Sequence, residues 1–225
     1  MIKFIRNNIL KKIYYLLINI YKVNQIILKQ YGYLKTIRFG LPVNQKGEPI
    51  PWYTYPAIEY IDQLDLSEKN IFEYGSGHSS LFFAKKAKSV TSVEEDKEWF
   101  EKISKNKPEN LNILYKKEKN DYVSSITKFN KKFDLIIIDA NYRIECCSVA
   151  KDYLNDGGII ILDNSDRDND SAIYLRNIPN LIEVNFSGFG PINGYTWTTS
   201  LFFSRNYNIQ MINKSQSQKS IGEAK

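Results

Sequence analysis

The sequence predicts an α/β protein: a doubly wound, mostly parallel sheet that ends in an antiparallel strand, with a basic helix ahead of it. Three observations predict it. From residue 70 onward, strand-like apolar runs alternate with helix-like segments. The stretch "IFEYGSGHSS", residues 71–80, places a glycine-rich turn directly after the first of those runs. Near the C-terminus, "LIEVNFSGF" and "YTWTTSLFF" are separated only by "GPING", which leaves no room for a helix and reads as a hairpin.

The 225 residues suffice for one large domain with an appendage, and a hydrophobic content of 43% supplies its core. Nine of the 31 basic residues fall within residues 1–47, where there is no Asp or Glu; the remaining 22 face 25 acids. Only the N-terminus is basic, so a nucleic-acid footprint across the domain is not expected. The two cysteines, Cys146 and Cys147, are neighbours. They form no disulfide framework and no CxxC metal knuckle, which fits a reducing, cytoplasmic setting and two small core side chains.

Residues 2–28 read as a helix, with Ile2, Ile5, Ile9, Ile13, Leu16, Ile20, Val23 and Ile27 on one face. Its longest apolar run, "IYYLLINIY", is interrupted by Asn19 and is too short to span a bilayer. No small-residue cleavage site follows it, against a signal peptide. Residues 1–40 therefore form a basic amphipathic extension with two destinations: peripheral contact with the inner face of an anionic membrane, or burial against the domain or a second subunit as a homodimer. Residues 41–56 are a Pro/aromatic connector, with Pro56 suited to the first turn of a helix "PAIEYIDQL". The main domain is expected over residues 57–205. Its strands are expected at 70–74, 89–94, 111–115, 133–139 and 158–163, with helices such as 79–88, 95–106 and 143–155 between them. "VEEDKEWF" carries the acids that favour a helix start. Residues 206–225 are polar and aperiodic, the composition of a disordered tail.

The glycine turn lacks the Gly-Lys-Ser/Thr ending of a phosphate-binding loop, and Ser80 stands where a dinucleotide turn has its third glycine. What remains is Glu73-x-Gly75-x-Gly77. An acid two residues before the first glycine repels a diphosphate and suits a ligand carrying an ammonium and a sulfonium. Glu94, 19 residues beyond Gly75, stands where such folds bind ribose hydroxyls.

With "FEYGSGHSS", "SVEED", "FDLIIIDA", "GGIIILDN" and the terminal "TSLFF", residues 55–204 resemble the class I S-adenosylmethionine-dependent methyltransferases. The resemblance implies a Rossmann-like sheet of seven strands, the last antiparallel and inserted between its neighbours. It implies S-adenosylmethionine as cofactor. Glu73, Gly75, Ser76 and Gly77 would lie at its methionine end, Glu94 at its ribose and Asp121 or Tyr122 at its adenine, with Asp139 beside them.

Strand four ends at Asp139 and strand five at Asp163-Asn164. Two carboxylates and an amide at the carboxyl end of a sheet form an oxygen set suited to Mg²⁺. The arrangement is similar to that of cation-dependent O-methyltransferases, in which the metal lowers the pKa of the acceptor hydroxyl. Those enzymes carry a lysine where this chain has Tyr142, and the neighbouring Arg143 is too basic to replace it as a base. Asp139, Arg143 and Asp163 are the catalytic candidates; Asp139, Asp163 and Asn164 are the metal candidates. "DANY", 139–142, lacks both prolines of the loop used by nucleobase amino-methyltransferases. His78, the only histidine, is expected to pack or to touch the cofactor. Trp52, Tyr53, Tyr55, Tyr195 and Trp197 fall where this fold builds its acceptor pocket. The expected activity is O- or N-methylation of a small molecule or glycan. The alternatives on the same fold are an aminopropyl transferase-like enzyme and a non-catalytic docking protein at a membrane glycan assembly.

Overall fold

The computed structural model describes residues 2–216 and 218–222, with side chains from residue 8 onward. The side chains of Ile2 and Ile5, the first positions of the expected stripe, lie outside the described residues, as do residues 217 and 223–225 of the expected tail.

Seven strands form one sheet: β1 (Asn70–Tyr74), β2 (Ser89–Glu94), β3 (Leu111–Tyr115), β4 (Phe133–Ile138), β5 (Leu154–Asp163), β6 (Leu181–Gly188) and β7 (Trp197–Ser204). Their order is β3-β2-β1-β4-β5-β7-β6, and β7 runs antiparallel to both neighbours. The strand order reverses between β1 and β4. That is the switch point where open α/β sheets bind ligands.

Helices α3 (Tyr55–Asp62), α4 (His78–Ala84), α5 (Lys97–Ser104), α6 (Lys119–Val123), α7 (Arg143–Ala150) and α8 (Asn169–Arg176) accompany the sheet. The two sheet faces bury separate cores. On one, Ile71, Leu135, Ile137, Ile159 and Ile161 pack with α3 and α4 through Ile58, Ile61, Phe82 and Phe83. On the other, Phe72, Ile136, Ile138, Ile160 and Leu162 pack with α7 and α8 through Cys146, Cys147, Ala150 and Leu175. Covering both faces is what makes "LIII", residues 135–138, continuously apolar rather than alternating. The cysteines are free and fully buried, as small core residues.

The bounds of β1, β2 and β3 agree with the sequence; β4 ends at Ile138, one residue before the expected Asp139, and β5 begins at Leu154 and not at residue 158. The expected helix over 143–155 stops at Ala150, Lys151–Tyr153 tighten into a 3₁₀ turn, and Leu154 already pairs with Phe133. The register then shifts between Phe133 and Leu135. Such an irregularity interrupts the period that the sequence reading relied on.

The polar tail also departs from expectation. Gln210 O accepts from Asp65 N (2.8 Å), Ile212 N donates to Gln63 O (2.8 Å), and Leu64 bridges to Met211. Ile209 is only 4% exposed. Within "NIQM" Ile209 and Met211 alternate with polar residues, a short strand-like signal inside a polar stretch.

The N-terminus forms α1 (Ile2–Gln25), a π-helical turn (Ile26–Gln30) and α2 (Tyr33–Phe39), with Gly32 between the last two at φ +83°. A Cβ at Gly32 would lie 2.4 Å from the Asn44 carbonyl carbon, so only glycine lets the chain pass the connector there. The apolar side chains from Ile9 to Val23 are not buried against the domain; apart from half-buried Ile18 they are 47–62% exposed.

Replacing Ile209 with Ala should lower the unfolding free energy by about 2–4 kcal/mol, the usual cost of a buried truncation. Denaturant unfolding measures it, and an unchanged midpoint would return residues 206–212 to the status of a tail.

Candidate active site

Three strand ends meet at Gly75. Its N–H donates to Val93 O of β2 (2.9 Å), while Asp139 N donates to Tyr74 O (3.1 Å). Gly75 has φ +98°, and a Cβ there would stand 2.4 Å from the Asp139 carbonyl oxygen. The turn therefore requires glycine on conformational and on steric grounds.

Glu73 is 1% exposed beneath this turn. It accepts from the hydroxyls of Ser79, Ser80 and Ser92, the last at 2.9 Å. Burial pushes its carboxyl up to about 7, against the pull of the three hydroxyls. Glu73 thus fastens α4 to β1 and β2, and it does not line the cavity above.

Glu94 is held as firmly. One oxygen accepts from Ser76 N (3.0 Å) and Ser76 Oγ (2.9 Å), the other from Glu95 N and Asp96 N (both 2.9 Å). Asp96 then caps α5 by accepting from Trp99 N (2.8 Å). Trp99 Nε1 donates back to Ser76 O at 2.6 Å. The glycine turn, the β2 acid and the α5 start form one hydrogen-bonded ring.

Above that ring is a cavity of about 250 Å³, lined by Gly75, Ser76, Glu94, Glu95, Trp99, Tyr122, Asp139, Ala140, Asn141 and Arg143. The structure brings Gly75, Ser76, Glu94, Tyr122, Asp139 and Arg143 of the sequence candidates into one wall. Gly77 does not line it; its N–H donates to Ser80 Oγ (3.0 Å) and its Cα faces the Trp99 indole. Asp121 is exposed on α6, while its neighbour Tyr122 is buried against Tyr74 and Tyr142. Trp99, Glu95 and Asn141 were missed from sequence. Asn141 Nδ2 donates to Glu95 across the cavity mouth. A larger hollow of about 500 Å³, between Gln63 and residues 211–219, contains no residue from the strand ends.

At the β4 and β5 ends the donor set differs from the one expected for a metal. The Arg143 guanidinium stands between Asp139 Oδ1 (3.2 Å) and Asn164 Oδ1 (3.5 Å), with Asp168 Oδ2 at 4.0 Å. Asp163, 3% exposed, turns away to accept from Thr199 Oγ1 (2.5 Å) and Trp197 Nε1 (3.2 Å). Asp139 and Asn164 already share a cation, and Asp163 is engaged by β7. A divalent ion held by Asp139, Asp163 and Asn164 does not fit this arrangement. Burial followed by the Asp139 charge pushes the Asp163 carboxyl well above the usual carboxylate range. Burial also raises Asp139, and Arg143 opposes the rise.

The connector roofs this region. Thr54 N donates to Thr199 Oγ1 (3.1 Å), Tyr55 N to Phe189 O (2.7 Å), and His78 Nδ1 to Pro42 O (2.6 Å). His78 therefore ties the turn to the connector. Tyr53 is fully buried, and its hydroxyl has no hydrogen-bond partner among the described residues. Its phenol is pushed up by burial and then by the charges of Glu73, Asp139 and Asp163, with Arg143 opposing the rise. Trp52, by contrast, is exposed.

Sheet order, the antiparallel β7 and the acid-ended glycine turn define the fold of S-adenosylmethionine-dependent methyltransferases. Among solved structures, the chain is similar to an O-methyltransferase from Bacillus cereus in complex with SAH, with 16% identity and a TM-score of 0.60 over 81% of this chain and 96% of that one. It is also similar to the O-methyltransferase TomG from Streptomyces achromogenes, involved in tomaymycin synthesis and in complex with SAM, with 14% identity and a TM-score of 0.55 over 82% and 88%. At these identities the likeness is one of fold. No protein-family model matches the chain, and no curated protein matches it.

The raised Glu73 carboxyl has a stability consequence. The folded state holds the proton more tightly than the unfolded chain, so this contribution is present below the ordinary pKa of 4.5 and is lost as pH rises through about 7. Between pH 5 and 8 (roughly the window that shift defines) the wild type should lose up to about 3 kcal/mol relative to Glu73→Gln. Unfolding curves of the two proteins at several pH values measure it; parallel curves would mean Glu73 stays ionised.

Proposed function

We propose that the chain transfers a methyl group from S-adenosylmethionine to an oxygen or nitrogen of a small-molecule or glycan acceptor. The observation that carries this reading is the cavity at the switch point, where Glu94, Glu95 and Asp139 outnumber the single cation Arg143. Such a lining disfavours a diphosphate and favours a cationic ligand. Gly75 and Ser76 admit the ligand's close approach, Glu94 takes its ribose hydroxyls in exchange for the Ser76 hydroxyl, and Trp99 and Tyr122 flank its base.

When bound, S-adenosylmethionine supplies an electrophilic methyl on a sulfonium. Asp139 borders the cavity, and its raised pKa suits it to take the proton that the acceptor releases. Arg143 positions Asp139 and keeps it from approaching Asp163. Fixing both reactants in line supplies most of the acceleration.

Titration calorimetry should show S-adenosylmethionine and S-adenosylhomocysteine binding, with quenching or a shift of Trp99 fluorescence. Glu94→Gln should weaken binding by about 1.5–3 kcal/mol, the worth of hydrogen bonds to a charged group. Binding of NAD in their place would sink the reading. With an acceptor from a labelled-cofactor screen, turnover should survive chelator, and Asp139→Asn should lower it by about 10²–10⁴-fold. Turnover lost in chelator and restored by Mg²⁺ would return the cation to Asp139, Asp163 and Asn164.

A further inference from the structure

Helix α1 carries an unusual surface: its described side chains from Asn8 to Asn24 stay exposed, apart from half-buried Ile18. At about 100° per residue, Lys11, Tyr15, Lys22, Asn8, Asn19 and Lys12 gather in one sector about 100° wide. Between Ile9 and Val23 the sector from Val23 and Leu16 round to Tyr14 and Ile18 is apolar over about 220°, while Lys3, Arg6 and Asn7 in the first turns and Asn24 and Gln25 in the last fall within it. Ile9, Leu10, Ile13, Leu16, Leu17 and Ile20 within it are 47–60% exposed. Asn24 falls inside the apolar sector, and its Nδ2 turns back to donate to Ile20 O at 2.8 Å, which satisfies the amide within the helix itself.

The same chemistry continues on α2. Leu34, Ile37 and Phe39 are 52–53% exposed, with Lys35 and Arg38 interleaved. Lys11, Lys12, Lys22, Lys29, Lys35 and Arg38 have no acidic partner among the described residues, and residues 1–47 contain no Asp or Glu. No described helix is long and apolar enough to cross a membrane.

These features separate the occupants of the surface. A second copy of the helix would bring lysines against lysines with no acid to pair them, and its seam would be a narrow stripe. A broad apolar arc edged by unpaired lysines matches the boundary of a bilayer, with acyl chains under the arc and anionic headgroups at its edges. We infer that α1 and α2 dock the protein on an anionic lipid surface, in the plane of the membrane. The inference is independent of the chemistry proposed above.

The attachment to the domain is firm. Tyr31 Oη donates to Glu59, and its ring lies 4.3 Å from that of Tyr55. Tyr33 Oη donates to Ile192 O at 3.3 Å. The docked helix is thereby joined to α3 and to the segment between β6 and β7.

Co-sedimentation of the full chain with phosphatidylcholine vesicles, with and without phosphatidylglycerol, tests the inference. The protein should sediment only with the anionic vesicles and dissociate as salt is raised. Lys11→Gln with Lys22→Gln should weaken the partition by about 25-fold, roughly fivefold for each charge near the surface. Leu16→Asp with Leu17→Asp should abolish it. Both variants should melt with the wild type, because these side chains are exposed. Failure to sediment with anionic vesicles, or equal sedimentation with both kinds, would overturn the inference. Earlier melting of the variants, or a dimer in light scattering that Leu17→Asp dissociates, would overturn it in favour of packing within the fold or against a second copy.

Discussion

The close approach of Gly75 to the Asp139 carbonyl oxygen is the constraint on which the site rests. It lets β1 and β4 end side by side with no side chain between them. The Gly75 N–H then reaches β2, and the Asp139 N–H reaches β1. Because these bonds join three neighbouring strands at one level, Glu94, Ser76 and Asp139 face the same hollow without any long loop to position them. Even a methyl at position 75 would force β4 outward, and with it Arg143, which begins α7 a few residues later.

Beneath that point the protein spends polarity to gain rigidity. Glu73, Ser80 and Ser92 are buried polar groups, yet each has hydrogen-bond partners within the cluster. Fully satisfied clusters of this kind specify one arrangement, whereas a partly satisfied one is costly. The Tyr53 hydroxyl and Arg143 Nε, by contrast, are buried without a hydrogen-bond partner among the described residues.

The fold was legible in the sequence because its period changes are sharp. "LIII" cannot be amphipathic, and "GPING" cannot hold a helix. The start of β5 was not legible, since a register shift breaks the pattern that would announce it, and Ile209 was hidden in a polar stretch whose alternation is only a few residues long. At the site, Glu94 and Gly75 were legible from spacing. The inward turn of Glu73 was not, because spacing along a strand end does not say whether a carboxylate meets a ligand or three serines. Trp99 could have been found: it follows the β2 acid by a little over one helical turn, on the side of α5 that its own Asp96 cap turns toward the glycine loop. Arg143 was legible as a catalytic candidate, though as one too basic to act as a base. Its role as the cation between Asp139 and Asn164 depends on the start of α7, which brings residues 139 and 143 one helical turn apart.

The adjacent thiols in the core under α7 carry a practical consequence. Burial pushes Cys147 up to about 12 and Cys146 in the same direction, so at neutral pH neither is a thiolate and neither meets solvent. Alkylating reagents attack the thiolate. The folded chain is therefore chemically silent toward maleimides and spin-label reagents. A single cysteine introduced anywhere on its surface would report its own environment alone, with no need to remove the native pair.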